Sequence, residues 1–123
     1  MKITAKNISV DAGMILISGK EFYQKNKSDT TPEPRLYKEF DIAPGKYLVK
    51  WNIDDTYNGD ICGQQEIEIT SATLIVSDPC YWFEDGWDSA LDILDSGDHG
   101  GILIEETGGD GEWDVEIVLT RID

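Results

Sequence analysis

The stretch Lys46-Tyr47-Leu48-Val49-Lys50-Trp51-Asn52-Ile53-Asp54 decides how the rest of the chain is read. Tyr47, Val49, Trp51 and Ile53 recur every second residue, with Lys46, Leu48, Lys50 and Asn52 between them. Side chains of an extended backbone alternate between two faces, so this spacing predicts a strand with one apolar and one mostly polar face. The same period runs outward in both directions. Residues 2–10 alternate with a slip at Lys6-Asn7, which predicts a bulge. Asp11-Ala12-Gly13 predicts a turn into a strand over 14–18. A strand is expected over 36–42 and a turn at Ala43-Pro44-Gly45. Beyond the central stretch, residues 65–70 put Ile67 and Ile69 inside and Glu66 and Glu68 outside. Thr73–Ser77 reads as a short apolar strand.

Three segments depart from the period. Residues 19–35 and 54–63 are polar and read as long exposed loops. Residues 86–95 place Trp87, Leu91 and Leu94 at helical spacing, with Asp85 or Asp88 to cap the start and Gly97 to stop it, so one short helix is expected there. The fold class that follows is mainly β: a small antiparallel β-sandwich or partly open barrel with one short helix, as a single domain over residues 1–123.

The 123 residues suit one domain with a real core. Forty per cent are hydrophobic and four are Trp, too apolar for a disordered acidic tail. The longest aliphatic run, Met14-Ile15-Leu16-Ile17, is too short to span a bilayer, and the first residues lack the apolar run of a signal peptide. A cytoplasmic protein is therefore expected, with Cys62 and Cys80 as free thiols.

Charge is distributed unevenly. The net charge is −15, but residues 1–50 carry nine Lys+Arg and six Asp+Glu, whereas residues 51–123 carry 19 acids and one base, Arg121. Such a chain opposes direct binding to nucleic acid or anionic lipid, and its C-terminal acids suit a cation or a basic partner. Residues 101–107 and 112–122, flanking Gly108-Gly109-Asp110-Gly111, read as a hairpin. Symmetric closure sets Ile104 against Val115 and Ile102 against Ile117 on the core face. The other face then sets Glu105 opposite Asp114 and Leu103 opposite Glu116. Glu112, Asp114 and Glu116 repeat every ~6.8 Å, comparable to phosphate spacing along a nucleic-acid strand. With Glu66, Glu68 and Glu105, these acids are candidates for contact with the basic surface of a nucleic-acid-binding enzyme, in the manner of a phage-type inhibitor that mimics nucleic acid. Tyr81, Trp82, Phe83 and Trp87 cluster just downstream of residue 80; either they pack the helix onto the sheet, or Trp82 or Phe83 is an exposed anchor for such a partner.

A calcium frame competes with that reading. Asp54-x-Thr56-x-Asn58-Gly59 followed by Gln65 matches part of an EF-hand loop, with Asp60 as a further oxygen donor, but Gln65 replaces the bidentate Glu. The alternative function is thus a calcium- or carbohydrate-binding β module. Asp92, Asp95 and Asp98 with His99 form a second acidic group. A third reading is a small hydrolase using a carboxylate pair. His99 is the only histidine, and no nucleophile, phosphate-loop or zinc signature occurs, so a non-enzymatic role is expected.

Leu74-Ile75-Val76-Ser77-Asp78-Pro79-Cys80-Tyr81, then Trp87, then Gly109-Asp110-Gly111-Glu112-Trp113-Asp114-Val115 resembles a group of small bacterial and phage proteins. In that group a strand runs into Asp-Pro-Cys-Tyr and a Gly-Asp-Gly hairpin precedes an aromatic residue. The resemblance covers residues 74–120, implies a compact bacterial or phage β domain, and carries over no catalytic residue.

Overall fold

A computed structural model describes residues 1–11, 13–26, 32–54, 59–83, 101–105, 107 and 110–122. Their strands are β1 (Lys2–Val10), β2 (Ile15–Gly19), β3 (Tyr37–Asp41), β4 (Gly45–Ile53), β5 (Ile61–Ile69), β6 (Thr73–Ser77), β7 (Gly101–Ile104) and β8 (Gly111–Arg121). One helix, α1 (Lys20–Asn26), and 3-10 turns at Pro34–Leu36 and Pro79–Tyr81 complete the set. The strands form two four-stranded antiparallel sheets, ordered β1-β8-β4-β5 and β3-β6-β2-β7, and the pair is not closed into a barrel. Among the described residues no helix is long and apolar enough to cross a membrane.

The alternating strands build the first sheet. In β4, Tyr47, Val49 and Ile53 are buried and Trp51 half-buried, as their spacing requires. β8 alternates likewise, burying Val115, Ile117 and Leu119. β1 keeps the period up to Ala5, shifts register between Ala5 and Ile8, and resumes it. Asn7 sits in that bulge at φ 57°, a left-handed conformation that Asn tolerates better than most residues. These inward rows meet Ile15, Ile17, Leu74, Val76, Ile102 and Ile104 of the second sheet to form the main core.

The second sheet is covered on both sides. Every residue of β2 is buried, and so are Leu74 to Ser77 of β6, because these two strands lie at the sheet's centre. Continuous apolar runs are the expected signature of such strands. Their outward residues, Leu16 and Ile75, pack in a second core with Tyr23, Trp82 and Phe83.

That layer corrects two expectations. Residues 19–35 are not one exposed loop: Gly19 ends β2, residues 20–26 form α1, and Tyr23 has 0% exposure. The Tyr23 hydroxyl donates to the Leu16 carbonyl and is 3.3 Å from that of Ser77. Trp82 and Phe83 are not exposed anchors, being 1% and 3% exposed. The apolar outer face of the second sheet has to be covered, and these rings cover it. Tyr23 and Tyr37 each lie 4.9 Å from Trp82 between ring centroids.

The hairpin is a further correction. β7 pairs with β2, setting Ile104 against Ile15 and Ile102 against Ile17, whereas β8 pairs with β1 and β4 in the other sheet. The burial patterns explain it. Gly-Ile-Leu-Ile is buried nearly throughout and belongs in a sheet covered on both sides, while β8 alternates and belongs in a sheet with one wet face. The loop expected over 54–63 also shortens, since residues 61–63 belong to β5. The helix expected over 86–95 and the group Asp92, Asp95, Asp98 and His99 lie outside the described residues.

Candidate binding face

The outer side of the first sheet is the face that no described element covers. Its side chains follow from register. Across β1, β8, β4 and β5 one row reads Thr4, Glu116, Asn52, Cys62, and its neighbour reads Lys2, Val118, Lys50, Gln64. Leu48 lies between Thr120 and Glu66, and Lys46 is paired with Glu68. Glu112, Asp114 and Glu116 are all exposed on β8, so the predicted carboxylate row along one strand is present. Glu66 and Glu68 are exposed on β5.

The neighbours of these acids differ from those the hairpin register implies. Glu116 stands between Thr4 and Asn52 and not opposite Leu103; Asp114 is not opposite Glu105, which lies past the end of β7. Lys2 Nζ is 3.9 Å from Glu116, and Asp114 Oδ1 accepts the Asn7 backbone N–H at 2.9 Å. The lysines of β1 and β4 therefore share the face with the acids of β8 and β5. Reading the acids alone misses this, although the period that places Lys46 and Lys50 opposite Tyr47 and Val49 already puts them outside.

Acidity concentrates at one end. A recess of about 340 Å³ is lined there by Thr4, Lys6, Asn52, Asp54, Asp60, Asp114 and Glu116. Four carboxylates and one ammonium thus line it, and Lys2 approaches Glu116 from outside the lining. Asn52 Nδ2 donates to Asp60 Oδ2 at 3.3 Å, while Asn52 Oδ1 is buried and has no hydrogen-bond partner among the described residues. The β1 bulge shapes one wall, and the departure of β4 at Asp54 and the start of β5 after Asp60 shape the other.

The calcium frame is only partly represented. Asp54 and Asp60 meet in the recess, but Gln65 is on the inner side of β5, where its Nε2 donates to the Gly101 carbonyl at 3.3 Å. Thr56 and Asn58 lie outside the described residues. Among the described residues no three His, Cys, Asp or Glu side chains form a group able to hold a metal ion. Cys62 is exposed and Cys80 half-buried, and the two are not joined in a disulfide. Comparison with known protein families, curated proteins and solved structures finds no match for this chain.

Proposed function

We propose that this protein acts by binding, and that it receives a basic protein surface at the acidic end of its exposed sheet. The observation that carries the reading is the recess in which Asp54, Asp60, Asp114 and Glu116 face one lysine, Lys6, with Glu112 next along β8. A field of one sign over a concave patch attracts the opposite charge and speeds encounter. The carboxylate row of Glu112, Asp114 and Glu116, at steps of ~6.8 Å, supports the narrower reading that the partner surface normally holds nucleic acid. In that reading the protein is an inhibitor of phage type that blocks a nucleic-acid-binding enzyme. Lys2, Lys46 and Lys50 confine a phosphate-like contact to this end of the face.

Polylysine is a direct probe. Affinity for it is expected to fall with salt, and the triple variant Asp54→Lys, Asp60→Lys, Glu116→Lys should bind about tenfold or more weakly at low salt. A control of equal charge, Glu33→Lys, Asp41→Lys, Glu105→Lys, alters exposed acids away from the recess. If both triples weaken binding equally, only net charge is at work and the recess is not the contact.

A further inference from the structure

β1, β3, β5 and β7 are the outer strands of the two sheets. An outer strand leaves a row of backbone N–H and C=O groups without ladder partners, and proteins blunt such edges with lysine, proline, a bulge or short length. β1 carries Lys2 and Lys6 and breaks its register between Ala5 and Ile8. β3 has five residues, including Lys38, and β7 has four. β5 is long, regular and free of Lys and Pro, and its only charged side chains are Glu66 and Glu68. Its nine residues, Ile61-Cys62-Gly63-Gln64-Gln65-Glu66-Ile67-Glu68-Ile69, pair with β4 in unbroken register from Ile69 to Ile61. Among the described residues no strand pairs with its other side.

The side chains along this edge specify an occupant. On the inner side Ile67 and Ile69 are buried, but Ile61, Gly63 and Gln65 are only half-buried, so the sandwich is incomplete along the first half of β5. On the outer side Glu66 and Glu68 are exposed, and Asp60 immediately precedes the strand. Opposite charges on adjacent strands of one face attract, and like charges repel. We propose that β5 is a docking edge for an extended, basic segment of a protein partner, which joins the first sheet as a fifth strand. Lys or Arg at alternate positions would lie beside Glu66 and Glu68, and the apolar residues on the other face of the added strand would extend the inner side as far as half-buried Ile61. Backbone hydrogen bonds supply the attachment, and the alternating side chains supply the selection. A second copy of this chain is a poor occupant. Pairing β5 with itself offers no Lys or Arg to Glu66 or Glu68, because the strand contains none, and each chain carries −15. The proposal rests on the reading that the partner is basic.

The test uses the full chain and a peptide of about nine residues, the length of β5, alternating lysine with valine. Binding is expected to slow amide exchange across residues 61–69, to weaken in Glu66→Lys/Glu68→Lys, and to vanish when glutamate replaces the peptide's lysines. N-methylating alternate peptide nitrogens separates a ladder from simple charge attraction. One alternate set should cost about tenfold or more in affinity, and the other set little, since only one set faces β5. Binding that ignores both methylations, or protection confined to β8, overturns strand addition and leaves the basic-partner reading standing. Failure of both this peptide and polylysine to bind overturns both readings. Protection of β5 that grows with protein concentration and without peptide assigns the edge to a second copy, which also overturns the proposal.

Discussion

Asp78 shows how one side chain can tie distant turns together. It is fully buried, at the end of β6. Its Oδ2 accepts the Asp11 backbone N–H at 2.9 Å, and its Oδ1 accepts that of Cys80 at 2.9 Å. The first bond anchors the chain leaving β1. The second caps the 3-10 turn at Pro79–Tyr81, where Pro suits the first position because it has no N–H to satisfy. Asp78→Ala removes both acceptors and strands two backbone donors, so it should cost about 2–4 kcal/mol. Asp78→Asn keeps one carbonyl oxygen and should cost less. Urea unfolding measures both, and an Ala variant with an unchanged midpoint would show that the contact is dispensable. The strand that runs into Asp78-Pro79-Cys80 is legible in the sequence. The bond between Asp78 and Asp11, 67 residues away in the chain, is not, because nothing local encodes it.

The elements that sequence reading recovers are those whose side chains obey one period. β4 and the bulged β1 belong to this group, while β2 and β6 show in the sequence as short apolar strands. Partnership between strands is harder to read. The glycines around Asp110 suit a tight hairpin, but the burial that sends β7 and β8 to different sheets is a tertiary property. The mismatch between the continuous run Ile102-Leu103-Ile104 and the alternation of Trp113-Asp114-Val115-Glu116-Ile117 is the local trace of it. α1 is harder still, because Phe22-Tyr23 gives too few apolar positions to show a helical period. Its aromatic contacts hold it. Tyr23→Ala should cost about 3–5 kcal/mol and loosen the Trp82 environment, read by near-ultraviolet dichroism. Tyr23 also sets an alkaline limit. Burial raises its phenol well above the ordinary 10.0, with the Asp78 carboxylate adding to the rise. Burial likewise pushes Tyr81 up to about 12, with Cys80, Asp11 and Asp78 adding to the effect. The unfolded chain releases these protons near pH 10 while the fold retains them. The native state therefore binds more protons above pH 10, and stability falls as pH rises from 10 through about 12. Tyr23→Phe should flatten part of that fall, and equal slopes for the variant and the parent would exclude Tyr23 as a cause.

At the scale of the whole molecule, strand order reshapes the charge asymmetry of the chain. The first sheet alternates strands from the two halves, β1-β8-β4-β5, so Lys2, Lys6, Lys46 and Lys50 are set among Glu66, Glu68, Glu112, Asp114 and Glu116. Interleaving relieves the repulsion that one acidic segment would suffer alone, but a net charge of −15 remains. The ion pairs Lys2–Glu116, Lys20–Glu39 and Arg35–Glu33 are all exposed, and pairs of that kind contribute about 0–1 kcal/mol each. Repulsion among the surplus acids should therefore outweigh them. Salt shortens the reach of that repulsion to about 10 Å at ~0.1 M. Raising sodium chloride from ~10 mM to ~500 mM should raise the melting temperature by several degrees, since about 1 kcal/mol corresponds to about 4 °C in a domain of this size. Neutralising Asp54 and Asp60 as Asn should reproduce part of the rise at low salt and shrink the further gain from added salt, because both lie in a recess lined by four carboxylates. A melting temperature that falls with salt would mean that the cross-strand attractions between lysines and acids, and not the surplus charge, dominate the electrostatics of the fold.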